Sequence, residues 1–492
     1  MKTVHLLLSV LLPVSTLAQP GIFKTSTDIG PTTAAGKADY NPTDQTYNLK
    51  SPGPAANQPD AGTYTYTELT GDFILTATIA IEGNTKAGWM IRESAEQRGA
   101  YISGTLHGKG TVKLEWREHQ TTETDQGTND LDFKQADIIQ LERKGNDITL
   151  RASRAGQPLQ EIEKHTATSF ENTVLAGLFI GAQNTAASAS VWNVRIDRPV
   201  ADDYKPETSG YLASRLEILD VTTGKRTVIH QSKGRFEAPN WMPDGKALLF
   251  NEGGSLYTIP IKGGTPKKVN TGFADRNNND HGISFDGKML AISHHRDGMP
   301  GYGSTVYVLP LQGGTPKLVT EQTPSYFHGW SADGKSVLYV AQRGNSTFNI
   351  YRAPIAGGPE VKLTQTRPGA HVDGPEASRD GKYIYYNASN TGTMQIYRMK
   401  PDGTDIEQLT ADNHNNWFPH LSPDGKWICY LAFPPDINPN DHPAYKRVTL
   451  NLIPIDGGPS KIIAYLYGGQ GTINVASWSP DSKYVAFVSN SK

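Results

Sequence analysis

The sequence predicts an all-β protein: an N-terminal antiparallel β-sandwich followed by a six-bladed β-propeller closed by a split terminal blade. Three observations carry that prediction. A Pro-Asp-Gly-Lys turn, intact or degraded, recurs six times after residue 240. Each copy leads into a short apolar run rich in branched and aromatic residues, as expected of strands buried between neighbouring sheets. Gly and Pro together make about 16% of the 492 residues, above a usual ~12%, which favours turns over long helices.

The six turns are Pro243-Asp244-Gly245-Lys246, Phe285-Asp286-Gly287-Lys288, Ala332-Asp333-Gly334-Lys335, Arg379-Asp380-Gly381-Lys382, Pro423-Asp424-Gly425-Lys426 and Pro480-Asp481-Ser482-Lys483. Their Asp-to-Asp steps are 42, 47, 47, 44 and 57, near the ~40–50 residue period of four-stranded blades. Asp-Gly between two extended runs is a hairpin signal, because Gly accepts positive φ without steric cost. A second strand follows each turn, such as 247–250 or 484–487, then a third, such as 255–259 or 394–397. A further Gly-bearing turn and a short fourth strand, as at 317–320, complete the unit.

The sixth unit stops after its second strand, at Asn490-Ser491-Lys492. Its missing strands are expected at 215–220 and 226–230, so that both ends of the repeat region share one blade. Such closure removes exposed strand edges. The propeller is therefore assigned to residues 211–492, a linker to 199–210, and the sandwich to 22–198. Within the sandwich, strands are expected at 73–81, 112–116, 138–142, 147–152 and 191–196, separated by Gly- and Asn-bearing turns.

Residues 1–18 read as a secretory signal peptide: Lys2 and His5, the apolar run 6–17, and cleavage after Ala18. No later stretch approaches the ~18 apolar residues of a membrane span. Gln19, not Cys, stands directly after Ala18, so no lipid anchor is expected there, and the mature chain is expected to be exported, secreted or periplasmic. A formal net charge of -2 argues against a nucleic-acid partner, which normally demands a basic excess. The single Cys429 excludes an intramolecular disulfide framework and any Cys-based metal cluster.

The Pro-Asp-Gly-Lys hairpins and the Ile-Tyr strands resemble the TolB-type propeller family, with PD40/WD40-like repeats, across all six units. The segments Asn440-Asp441-His442-Pro443, Tyr445-Lys446-Arg447 and 467–474 resemble an exported TolB-like subgroup. Gly71-Asp72-Phe73, residues 87–92 and residues 141–146 resemble concanavalin-like (laminin-G-like) sandwiches. That second resemblance implies glycan contact.

Blade topology places the Pro-Asp-Gly-Lys hairpins on one face of the disc. Eight of the thirteen histidines fall in or beside segments of the opposite face: His281, His294, His295, His328, His371, His414, His420 and His442. Counting back from each turn aspartate, His281 and His328 lie five residues before it; Asn240, Glu376 and His420 lie four before. Those positions belong to the innermost strands, which line the central channel. Asp280, Asp373 and Glu376 add carboxylates beside these histidines. Because side chains alternate along a strand, positions four and five are not expected all to point inward. The Pro-rich insertion 433–446, with Asn438, Asn440, Asp441 and His442, is expected to overhang the same mouth.

Converging imidazoles and carboxylates suit acid–base chemistry, a divalent metal, or the grip of a sugar. An innermost-strand histidine can equally bond a neighbouring blade's backbone. No His-Glu-x-x-His spacing occurs, residues 468–471 lack the Lys-Ser/Thr of a phosphate loop, and no Gly-x-Ser-x-Gly elbow sits in a strand-to-helix setting. The leading expectation is a binding protein that engages a glycan or an envelope protein through the sandwich and the channel mouth. Its ligand set is Asn240, Asp280, His371, Asp373, His442, Tyr445, Lys446, Gln470 and Asn474. The alternative is a metal-dependent, carbohydrate-active enzyme that cleaves polysaccharides or glycosides at the mouth. Oligogalacturonate lyases resemble these repeats and use a divalent metal to neutralise a uronate carboxylate. For that alternative the metal or acid–base residues are His281, His328 and His420, with Glu376, and Arg296 or Lys446 holds the carboxylate.

Overall fold

The computed structural model describes residues 21–492 apart from 54–60, 84, 109, 119–124, 128–134, 183–185, 300–302 and 345–346. The proposed signal peptide lies outside the described residues. No helix among them is long and apolar enough to cross a membrane. The one short helix, Pro206–Ser209, lies in the linker.

Two seven-stranded antiparallel sheets form the N-terminal part. The first is centred on Thr173–Ala182 and Thr85–Arg92, the second on Phe73–Glu82 and Ala187–Asp197. One core lies between them, built from alternate apolar positions such as Leu75, Trp89, Ile91, Leu141 and Leu150, all buried. Every sandwich strand expected from the sequence is present.

Six sheets follow, and the predicted ring closure is observed. Five are four-stranded meanders, beginning with Phe236–Trp241, Asn277–Ile283, Ser325–Trp330, Val372–Ala377 and Asn415–Leu421. In the sixth, the C-terminal strand Tyr484–Ser491 pairs with Ala213–Asp220, which pairs with Arg226–Ser232. A single bridge, Trp478 to Val485, joins the innermost segment of that blade.

The recurring turn has a shared hydrogen-bond geometry. In blades two to six a serine stands two residues before the aspartate and donates its hydroxyl to that carboxylate at 2.6–2.7 Å. The carboxylate also accepts the backbone N–H of the lysine. The serine oxygen in turn accepts an N–H five residues on. Glycine takes φ of +67° to +71° in the first five turns, and Ser482 takes +61° in the sixth. Blade one has Met242 where the others have serine.

The outer strands explain how the two parts dock. They are two residues long in blades one to four but span Lys461–Gly468 in blade five. That lengthened strand meets the sandwich through a Gly156–Ile462 bridge and a Tyr465 hydroxyl that donates to the Gln157 carbonyl. The neighbouring Arg447 pairs with the Glu142 carboxylate. On blade six, the Gln45 amide bonds Val228 in both directions at 2.8 and 3.0 Å.

Between these contacts lies a buried charge cluster. Glu217 is fully buried and pairs with Arg195 of the sandwich at 2.6 Å and Arg226 of blade six at 2.8 Å. It also accepts the Ser489 hydroxyl of the closing strand. Burial alone would raise its pKa, but the two guanidiniums outweigh burial and hold it well below the ordinary carboxylate range.

Candidate functional site

The innermost strands do not keep simple alternation, and this decides which side chains meet. In blades one, four and five the residue six before the turn aspartate has positive φ: Ala238 at +56°, Gly374 at +59° and Phe418 at +56°. Proline follows in each case: Pro239, Pro375 and Pro419. The strand register slips there, between Glu237 and Asn240, Asp373 and Glu376, and Trp417 and His420. Proline lacks the N–H a ladder needs and is tolerated at such a bulge. Blades two and three carry histidine at the proline position, followed by glycine, with their own slips before His281 and around His328. The bulges shift phase, so position four in some blades and position five in others face one cavity. Asn240, His281, His328 and Glu376 line it while His420 does not, so the counted positions do not all point inward, and the bulges decide which of them do.

At the loop-face end, Asp373 is the hub. Its carboxylate faces His328 Nε2 at 2.8 Å, His371 Nε2 at 3.5 Å and His442 Nε2 at 3.8 Å. These groups come from blade three, the entry to blade four and the blade-five insertion. Aromatic rings wall the group: His442 sits 4.5 Å from Trp417 and 5.3 Å from Phe418, and His371 packs against Phe348 and Trp417. Burial would raise Asp373, but His328 and His371 outweigh it and hold the carboxyl well below its usual range. Burial would lower His328, yet Asp373 and Asp280 raise it. Each group thus favours the charged form of the other in this buried site. Burial lowers His442, against the pull of Asp373.

Two more carboxylates lie close by. Asp280 is buried, and that burial, with the Asp373 and Glu237 charges beyond the opposing His328, pushes it up to about 7. Glu237 is also raised by burial, against its partner Arg235. Gln470 reaches His442, while Asn474 donates to Gln470 at 2.9 Å and its backbone bonds His328. The insertion spans the mouth as expected: Asn440 accepts the Ser389 hydroxyl at 2.6 Å and donates to the Gly369 carbonyl at 2.8 Å.

At the hairpin-face end the channel opens as a funnel of about 220 Å³, walled by Trp241, Trp330, Trp478 and Phe285. The Trp330 and Trp478 indole N–H groups donate to the carbonyls of Gly282 and His420 in the preceding blades at 3.0 and 2.9 Å. His281 forms part of its floor. Burial lowers that imidazole to about 4, so it is neutral at neutral pH.

The expected residues therefore divide. Asp280, His371, Asp373, His442, Gln470 and Asn474 gather at the loop-face mouth, Asn240, His281 and Glu376 belong to the funnel, and His328 reaches both. His420 joins blades: Nδ1 faces Glu376 at 2.8 Å and Nε2 faces the Ile473 carbonyl, while Leu421 N–H also bonds Glu376. Both its ring nitrogens are thus committed within the protein. Among the described residues no three His, Cys, Asp or Glu side chains are arranged to hold a metal ion, so His281, His328 and His420 do not form a metal set. Tyr445 and Lys446 serve the linker instead of the mouth: the Tyr445 hydroxyl accepts Leu212 N–H at 3.0 Å and Lys446 donates to the Asp202 carbonyl at 2.9 Å. Arg296 lies in the loop after the second strand of blade two, bonded through its backbone to Gly303 at 3.1 Å. No contact among the described residues brings its side chain to either end of the channel.

Sequence reasoning missed Glu237, Trp417, Phe418 and the three funnel tryptophans. The tryptophans had a signal: each stands three residues before its turn aspartate.

Comparison with known proteins follows the same outline. The TolB beta propeller domain family, PD40, matches residues 211–371. The uncharacterised protein Atu1656 of Agrobacterium fabrum is 45% identical over 280 residues, which cover 57% of this chain and 93% of that protein. A solved TolB-type structure from Agrobacterium tumefaciens is 44% identical, with TM-score 0.54, over 57% of this chain and 100% of that one. TolB from Acinetobacter baumannii aligns at 15% identity and TM-score 0.40, over 67% of this chain and 79% of that one. The identity to the Agrobacterium proteins runs over nearly their whole length, and it agrees with the six repeats and the shared closing blade. The chain belongs to the TolB-type β-propeller family.

Proposed function

We propose that this is an exported binding protein that engages a glycan or an envelope protein at the loop-face mouth of its propeller, with the sandwich beside that channel as a second contact surface. One observation carries the reading. Side chains from two blades and the blade-five insertion converge on the Asp373 carboxylate, and His442 Nδ1 has no hydrogen-bond partner among the described residues. A buried polar group without a partner costs about 1–3 kcal/mol. A ligand that supplies the missing bond recovers that cost. The walls of Trp417 and Phe418 supply the apolar part of a recognition site.

No metal-dependent step is derived, because the histidines expected to bind the metal do not form one set. The test is retention. Immobilised mature protein is challenged with solubilised envelope proteins and with an array of envelope glycans, alongside Asp373→Asn. The expected result is a ligand retained by the wild type and lost, by about tenfold or more, in the variant. Equal retention by both proteins, or retention of nothing by the wild type, overturns the reading.

A further inference from the structure

The funnel at the opposite end of the channel is a site of a different kind. Its lining includes three polar residues, each more than nine-tenths buried: Asn240, Trp241 and His281. Asn240 spends its amide N–H on the Ala476 carbonyl at 2.7 Å, but its Oδ1 has no partner among the described residues. Trp241 Nε1 has none either, although the equivalent indoles of blades three and six are both bonded. For His281 neither ring nitrogen has a well-aligned partner, although the Asn279 and Ala238 backbone lies close enough to raise its pKa against burial.

These leftover capacities specify the ligand. Asn240 offers an acceptor, Trp241 a donor, and the neutral imidazole one of each. None carries charge, and the charged residues of the same lining are engaged within the protein: Glu376 with His420 and the Leu421 N–H, His328 with Asp373, and the Arg379 guanidinium over the Phe285 ring. An apolar side chain entering here would leave all of them unsatisfied. A hydroxyl both donates and accepts, and adjacent ring hydroxyls can answer the whole set. The walls of Trp241, Trp330, Trp478 and Phe285 suit the apolar face of a ring. At about 220 Å³ the cavity falls below the ~300–1,000 Å³ of sites for larger ligands, which limits the occupant to one ring.

From this geometry we infer that the hairpin-face funnel binds a single neutral pyranose ring, such as the terminal residue of a saccharide. The funnel shares His328 with the Asp373 mouth, but its unpaired groups are Asn240, Trp241 and His281, so it does not depend on the reading given for that mouth.

The experiment uses the full mature protein and neutral monosaccharides: glucose, galactose, mannose and N-acetylglucosamine. Binding is read twice, by tryptophan fluorescence, since three indoles wall the funnel, and by saturation-transfer NMR. At least one sugar is expected to shift the emission and show transfer at millimolar concentration. His281→Phe keeps the ring and removes both nitrogens, so the fold should hold, as judged by an unchanged or higher thermal midpoint. Affinity should fall about tenfold, the equivalent of one lost hydrogen bond. Asn240→Ala should weaken binding likewise. Absence of binding in both readouts for all four sugars overturns the inference. So does binding that His281→Phe and Asn240→Ala leave intact.

Discussion

Replacing Glu217 with Gln isolates the contribution of one buried carboxylate to holding three elements together. The wild-type group is fully buried and answers Arg195 at 2.6 Å and Arg226 at 2.8 Å. Glutamine keeps the shape and can still accept a bond, but it leaves two buried guanidiniums facing each other with no counter-charge. Removing one partner from a buried ion pair typically costs about 3–5 kcal/mol, and the second cation here places the expectation at the upper part of that range. With a urea dependence of about 2 kcal/mol per molar, the midpoint should fall by about 2 M. The pH dependence has a definite sign. Glu217 is held well below its ordinary value of 4.5, so its contribution is fully present above pH 4.5 and is lost as pH falls below it. Wild type and variant should differ most at neutral pH and converge in acid. Urea titrations by circular dichroism between pH 3 and 8 check this. A loss under about 1 kcal/mol at pH 7, or a gap that widens in acid, would refute the reasoning.

Two further outcomes are expected. Gly425 takes φ of +70° with nothing within 4 Å of an added Cβ, so Gly425→Ala should cost only the backbone strain of about 1 kcal/mol, seen as a lower urea midpoint at unchanged slope. Asp280 is pushed from 3.8 up to about 7, so the folded state binds the proton more tightly and stability falls as pH rises through that window. Asp280→Asn should therefore be more stable than wild type at pH 8, by about 4 kcal/mol at the outside, with the difference closing toward pH 4; a thermal scan across pH measures it.

The blades were legible because each turn has its own local chemistry. Asp244 through Asp481 mark six hairpins whose geometry depends on residues within five positions of one another. The shared blade was legible because 215–220 and 226–230 have strand patterns and no other partner. The convergence at the mouth was only half legible. Spacing brought His371, Asp373 and Glu376 to notice, but the bulges at Pro239, Pro375 and Pro419 reset the side-chain phase, and strand alternation gives no warning of that. The result was to separate Glu376 from Asp373, toward opposite ends of the channel. Tyr445 and Lys446 looked like mouth residues because they follow His442, yet the chain turns away there, with Tyr445 at φ +61°, to meet the linker. The Glu217 cluster joins residues 22 and 9 positions away and a strand 272 positions on; no local pattern announces it. The 57-residue step before the last turn did hold a clue, since its extra length includes the insertion and the long outer strand on which the sandwich docks.

Hydrogen exchange tests the functional account most directly. Mature protein is measured with and without the envelope component it retains, resolved by peptide. The account predicts slowed exchange at 371–377, 437–446 and 469–474, where the ligand closes over Asp373, His442 and Asn474. Protection confined to the sandwich, or to the outer strands of the blades, would contradict it.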